Sequence, residues 1–319
     1  MKKQERLVFF YDLVIEAYSR TFDAPQTISV KKAIELMERV DREQWIKEQA
    51  KGRERLYVSD YHHDGNTVSF LINKSDTEIS DPVFTIPNAK QRRVVAKVEQ
   101  EGQDFSVHAI IRLADDELEP ALVLIEHCNG LGFVNIQRLL NQILQDATKV
   151  VPLEFEQNHP DGALDSKGRP KKINVKFKTR FDGHVSNELK KDLNEGKVQS
   201  IELITERQKF TPFDEDGYIK EKCKTLVLTL KDEEHPILDK YSRIVGVVKK
   251  NRDTYDKARI KFKSPEGLER TVEMNSDEGL EKAYVKRARL DGFQSDLSSS
   301  YEKFEVAILE KMKALLVED

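Results

Sequence analysis

The stretch Glu119–Val150, EPALVLIEHCNGLGFVNIQRLLNQILQDATKV, decides how the rest of the chain is read. Leu122 to Ile125 are apolar without interruption, as in a strand buried on both faces. Asn129-Gly130-Leu131-Gly132 then supplies residues that tolerate positive φ, and the strand ends there. From Phe133 the apolar positions fall at Ile136, Leu139, Leu140, Ile143, Leu144 and Ala147, the spacing of one helical face, with Arg138, Gln142 and Gln145 on the other. The unit is a strand, a glycine turn and an amphipathic helix.

Working outward, Arg6 to Tyr18 reads as a long, mostly buried strand. Ser29 is placed to cap a helix whose Val30, Ala33, Ile34, Met37 and Val40 form one stripe, and the pattern extends it through Trp45 and Ile46 toward Gln49. Leu56–Tyr61 and Thr67–Ile72 flank an Asp64-Gly65 turn and read as a hairpin. Prolines 82 and 87 break regular structure, after which Arg92–Val98 and Phe105–Leu113 have strand character. Gln157 to Pro170 is poor in apolar residues and reads as a connector.

Beyond it come a lysine-rich strand over 171–181, a helix from Ser186 to Asn194 stopped by Gly196, and a strand from Val198 to Thr205. Thr225–Leu230 reads as a further strand and His235–Lys250 as a helix. Ala258–Phe262 and Arg270–Met274 read as a hairpin. Leu280, Tyr284 and Val285 begin one helical stripe of the tail. Tyr301, Phe304, Ile308, Met312 and Leu315 define a second, in an amphipathic helix over Ser298–Val317. The expectation is an α+β protein with mixed or antiparallel sheets and packed helices. It has two domains, 1–150 and 171–319, joined by a linker over 151–170, and the C-terminal helix belongs to the second.

The chain has 319 residues, enough for two cores, with 34% charged and 38% hydrophobic residues, and reads as a soluble globular protein. No apolar run approaches the ~20 residues of a membrane span, and the N-terminal stretch lacks the pattern of a secretory leader. Cys128 and Cys223 are the only cysteines, so reduced thiols and a cytoplasmic location are expected.

The net charge of −4 hides an asymmetry. Lys167 to Arg180 carries seven cations and no acid, among them Lys171, Lys172, Lys176, Lys178 and Arg180. Lys249 to Lys263 carries another seven, among them Lys249, Lys250, Arg252, Arg259 and Lys261, against Asp253 and Asp256. These ten residues are the candidates for phosphate contacts, where counterion release would dominate affinity. The plainer reading is that lysines protect strand edges from aggregation.

Other constellations are weaker. His62-His63-Asp64 lacks the further ligands a metal site needs. His127-Cys128 sits at a strand end, but neighbouring strand residues point to opposite faces. Gly130-Leu131-Gly132 lacks the third glycine of a dinucleotide fingerprint and the Gly-Lys-Ser/Thr ending of a P-loop. Glu202, Glu206, Lys209, Glu221 and Cys223 do not make a convincing nuclease set. No cofactor, metal or catalytic residue is assigned, and the balance favours a protein that is not an enzyme.

The order of elements nonetheless resembles a known group. Val8-Phe9-Phe10-Tyr11-Asp12-Leu13, then Ser106-Val107-His108-Ala109-Ile110-Ile111, then Leu122–Gly132 leading into Ile136–Leu144, is similar to bacterial and prophage proteins related to the RexA phage-exclusion protein. The likeness continues through the lysine-rich strand, the short helix and Ile201-Glu202-Leu203-Ile204. It implies an anti-phage defence role, a homodimer and sequence-tolerant DNA binding, carried here by the basic residues of the second half. Two alternatives stand beside it. One is a scaffold or sensor for a phage or defence-system protein, with the C-terminal helix packing across a dimer. The other is a metal-dependent nuclease or hydrolase.

Overall fold

A computed structural model describes the chain except for residues 1, 115–118, 165, 185–186, 206–222, 231–238, 266, 276–284 and 318–319, and except for the side chains of 187–188 and 274–275. The chain divides into two compact units, Met1–Phe181 with Arg287–Asp319, and Asp182–Lys286. Residues 151–170, read as a linker, fall within the first unit, as does the C-terminal helix.

The first unit is built on an eight-stranded sheet. Its strands are β1 (Arg6–Tyr18), β2 (Ile46–Gln49), β3 (Glu54–Asp64), β4 (Thr67–Asp76), β7 (Gln103–Arg112), β8 (Ala121–Glu126), β11 (Lys176–Gly183) and β16 (Arg287–Leu290). The order is β11-β1-β8-β7-β4-β3-β2, with β16 also paired to β1. Between β4 and β7 a separate hairpin forms from β5 (Val83–Ile86) and β6 (Gln91–Val94), and β9 (Glu156–Asn158) pairs with β10 (Lys172–Asn174). The pairings β1–β8, β8–β7, β7–β4, β4–β3 and β3–β2 are all antiparallel.

Helices cover both faces of this sheet. On one face lies α2 (Phe133–Val150), beside α1 (Val30–Met37). The six apolar positions read from its sequence are its buried ones, and Phe133 meets Tyr11 of β1 with ring centroids 5.1 Å apart. Alternation along β1 and β8 turns Val8, Phe10, Leu122 and Leu124 to the other face, which packs against Ile308, Met312 and Leu316 of the C-terminal helix. Being covered twice explains why Ala121–Glu126 is buried at every residue.

Two expectations change here. α1 ends at Met37, and Trp45–Gln49 does not continue it. Asp41 instead accepts from the Glu43 amide and caps a single 3-10 turn, Ile46 pairs with Tyr57 on β3, and Trp45 is buried with its indole N–H donating to the Val40 carbonyl at 3.2 Å. The tail is helical only from Val306. Residues 298–305 are neither helix nor strand, and their backbone amides donate to side chains of distant strands: Tyr301 N–H to Ser106 Oγ at 3.0 Å, Phe304 N–H to Asp60 Oδ2 at 3.1 Å and Glu305 N–H to His108 Nε2 at 3.0 Å.

The connector is held by the first unit as well. Phe155 is buried against Phe177 with centroids 5.4 Å apart, and Gln157 exchanges hydrogen bonds with the Gln26 backbone at 3.0 and 2.6 Å.

The second unit is a four-stranded antiparallel sheet in the order β13-β12-β14-β15, from β12 (Lys197–Thr205), β13 (Lys224–Leu228), β14 (Lys257–Lys263) and β15 (Glu269–Asn275). Helices α3 (Asn187–Glu195) and α4 (Lys240–Lys250) supply Leu189, Leu193, Ile244 and Val248 to a core with Ile201, Leu203, Ile260 and Phe262. The start of the helix expected over 235–250 and most of the stripe at 280–285 lie outside the described residues.

Candidate nucleic-acid interface

The ten basic candidates fall into two sets, one in each unit. Lys171, Lys172, Lys176, Lys178 and Arg180 belong to the first, and Lys249, Lys250, Arg252, Arg259 and Lys261 to the second.

In the first set the lysine-rich stretch makes two strands, β10 and β11, where a single strand was expected. Ile173, Val175, Phe177 and Phe181 are buried, which drives Lys172, Lys176, Lys178 and Arg180 outward. β11 is the outermost strand beside β1, so these cations meet the far end of β1. Tyr18, Ser19, Arg20 and Thr21 from that end, with Lys172, Ile173, Asn174 and Lys176, line a cleft of about 500 Å³. Three of those eight residues are cations and none is acidic. The Lys178 ammonium sits 4.8 Å from the centroid of the Tyr18 ring, and Tyr18 is 44% exposed.

Arg180 is engaged differently, pairing with Glu16 at 2.6 Å. Glu16 also accepts from the Tyr18 hydroxyl, and this carboxylate pushes the phenol above its usual range. Lys171 is exposed at the end of the connector, where its backbone N–H donates to Ala163 O at 2.8 Å. Tyr18 and Arg20 were not singled out by sequence reading. They sit some 150 residues before the lysines they join, and no local pattern marks them.

The second set is not one cluster. Arg259 lies between two acids across the strands, paired in register with Glu202 and Glu273. Its guanidinium reaches Glu202 Oε2 at 3.0 Å and Glu273 Oε1 at 2.5 Å, while Lys261 meets Glu202 Oε1 at 2.7 Å. The Lys261 and Arg259 donors hold the Glu202 carboxyl below its ordinary range. The charge of Arg259 and Lys261 is therefore largely spent within the sheet face, as in cross-strand ion pairing generally. Lys249 and Lys250 form the last turn of α4 with Arg252 just beyond, all exposed, where cations also favour the negative end of the helix dipole.

The remaining candidates have structural partners. His63 Nδ1 lies 2.8 Å from Glu38 Oε1, which also accepts from the Tyr61 hydroxyl at 2.6 Å. Cys128 is buried, and burial raises its thiol above the usual range, the opposite of an activated nucleophile. Gly130 takes φ +84, and the Gly132 N–H donates to Asn135 Oδ1 at 3.3 Å, so the glycine turn serves the start of α2. Glu202 is occupied by Arg259 and Lys261, while Glu206, Lys209 and Glu221 lie outside the described residues. Among the described residues no group of three or more His, Cys, Asp or Glu is placed to hold a metal ion, and no helix is long and apolar enough to cross a membrane.

Comparison with known protein families, with curated proteins and with solved structures finds no match for this chain.

Proposed function

We propose that the chain binds nucleic acid through phosphate contacts without reading base sequence, and that the cleft between the end of β1 and β10–β11 is the centre of that binding. The observation that carries this is the convergence of Arg20, Lys172 and Lys176 on one cleft free of acids among its lining residues, beside an exposed Tyr18 with Lys178 over its ring. Cations placed this way fix a backbone by charge, and an accessible aromatic ring offers a stacking surface indifferent to base identity. Lys249, Lys250 and Arg252 at the end of α4 form a secondary contact in this reading. The setting we propose is phage defence by a homodimer, on the strength of the resemblance to the RexA group.

Fluorescence anisotropy with labelled single-stranded and duplex DNA at ~50 mM salt tests the reading, because phosphate contacts are strongest there. Replacing Lys172, Lys176 and Lys178 with Ala together should weaken binding at least tenfold and flatten the salt dependence. Absence of binding by the wild-type protein, or unchanged binding by the triple variant, overturns it.

A protein-partner reading draws on β13, whose Leu226 and Val227 are 39% and 58% exposed on the outer strand of the second sheet. Strand addition at that edge would have a ready apolar surface.

A further inference from the structure

The hairpin β5–β6 leaves the main sheet between the end of β4 at Asp76 and the start of β7 at Gln103, and every residue from Val83 to Ala96 is exposed. Isolated two-stranded ribbons are marginal in water, and this one keeps Phe84, Ile86 and Val94 more than half exposed. Its root, by contrast, is fastened. Val95 N–H donates to Pro82 O at 2.9 Å, Lys97 N–H donates to Asp81 Oδ1 at 3.2 Å, and the Lys97 ammonium donates to the carbonyls of Thr77 and Ile79. A pinned root and a bare ribbon describe an arm.

The composition of the arm is one-sided. Between Pro82 and Val98 there are four cations, Lys90, Arg92, Arg93 and Lys97, and no acid. Lys97 is used at the root. The other three are exposed, and none is in an ion pair with a described residue. The register pairs Phe84 with Arg93 and Thr85 with Arg92, so the two arginines project from opposite faces, with Lys90 in the turn at the tip. Arg93 stacks over Phe84 at 5.4 Å, which leaves its N–H donors in the plane free to meet an anion.

We infer that this arm enters the major groove of duplex DNA. A ribbon entering a groove tip-first has a phosphodiester wall facing each of its two faces, and a cation on each face matches that layout. A groove about 12 Å wide and ~8.5 Å deep admits a two-stranded ribbon. Four residues per strand at ~3.4 Å each give a reach of about 14 Å, enough to bring Ile86 and Pro87 at the tip to the base edges. The deep, narrow major groove of duplex RNA would not admit it. A second copy of the same arm is a poor occupant, because its cations would face cations.

The inference rests on the nucleic-acid reading above for its class of ligand and adds a second, independent contact. It is tested with anisotropy on labelled 30-base-pair DNA, the matching RNA duplex and oligo-dT, using wild type, the variant Lys90→Ala/Arg92→Ala/Arg93→Ala, its charge-keeping form Arg92→Lys/Arg93→Lys, and the cleft variant of the preceding subsection. The exposed positions leave the melting temperature unchanged, which a thermal scan checks. The arm variant should bind duplex DNA at least tenfold more weakly, with the slope of log K against log salt smaller by about 2, as loss of the Arg92 and Arg93 phosphate contacts requires. The lysine form should retain most of the binding, and duplex RNA should bind no better to wild type than to the arm variant. Unchanged duplex affinity and slope in the arm variant overturn the inference while leaving the cleft reading intact if the cleft variant is weakened. Wild-type binding to oligo-dT alone has the same meaning. Absence of binding to all three probes overturns both.

Discussion

Arg6 Nε lies 2.6 Å from Glu126 Oε1 with both side chains 1% exposed, so a complete ion pair is sealed inside the first unit between β1 and β8. The two meet as charges rather than as an aligned N–H···O bond. The two terminal nitrogens donate to backbone carbonyls, Nη1 to Glu5 O at 3.0 Å and to Lys2 O, Nη2 to Ser298 O at 2.6 Å. Glu126 Oε2 accepts from the His108 backbone N–H at 3.1 Å and from Nδ1–H at 2.7 Å, and His108 Nε2 accepts from the Glu305 amide. Both ends of the unit's chain are thereby tied to one buried carboxylate.

Glu126→Gln should destabilise the first unit by about 3–5 kcal/mol, because it leaves Arg6 buried without a counter-charge. The double variant Arg6→Met/Glu126→Leu should cost less than the two single changes added together. Urea unfolding followed by Trp45 fluorescence measures both, and a cost below about 1 kcal/mol for Glu126→Gln would show that the pair is not sealed.

The Glu38 cluster gives a pH dependence. Burial raises the Glu38 carboxyl, but the Tyr61 and His63 hydrogen bonds and the charges of His63 and Arg42 outweigh it, and the net position is below the ordinary glutamate range. A depressed carboxyl contributes stability that is present above its unfolded value of about 4.3 and is lost as pH falls through the lower folded value. The urea midpoint of wild type should therefore fall with acid more steeply than that of Glu38→Gln across that window. Parallel pH profiles for the two proteins would contradict this.

Arg259→Ala/Lys261→Ala should change DNA affinity by less than about twofold, since Glu202 and Glu273 already balance these cations. Glu202→Gln should strengthen binding if the freed charges become available to phosphate. Anisotropy at ~50 mM salt reads both, and a tenfold loss in the first variant would place the second sheet at the centre of binding instead of the cleft.

What was legible in the sequence was what repeats locally. The period of Ile136 to Ala147 foretold the buried face of α2, and the unbroken run Leu122–Ile125 foretold a strand covered twice. Trp45–Gln49 misled because an apolar pair after a helical stripe has the helical spacing, whereas its conformation is set by pairing with β3. Residues 298–305 misled for a related reason: Asp60, Ser106 and His108, which hold their amides, lie about 200 residues away. The site followed the same division. Runs of lysine were visible, but their partners were not, so Arg259 and Lys178 looked equivalent although one is enclosed by acids and the other lies over an exposed tyrosine.

The second unit is continuous from Asp182 to Lys286, while the first is split around it. During synthesis the middle of the polypeptide can reach its native state first, because it needs nothing made after Lys286. The opening 181 residues must wait, with Val8, Phe10, Leu122 and Leu124 uncovered, until Ile308, Met312 and Leu316 have left the ribosome. Exposed apolar surface of that kind is what makes a partly made chain prone to aggregate, and a product truncated before Ile308 would keep it uncovered for good.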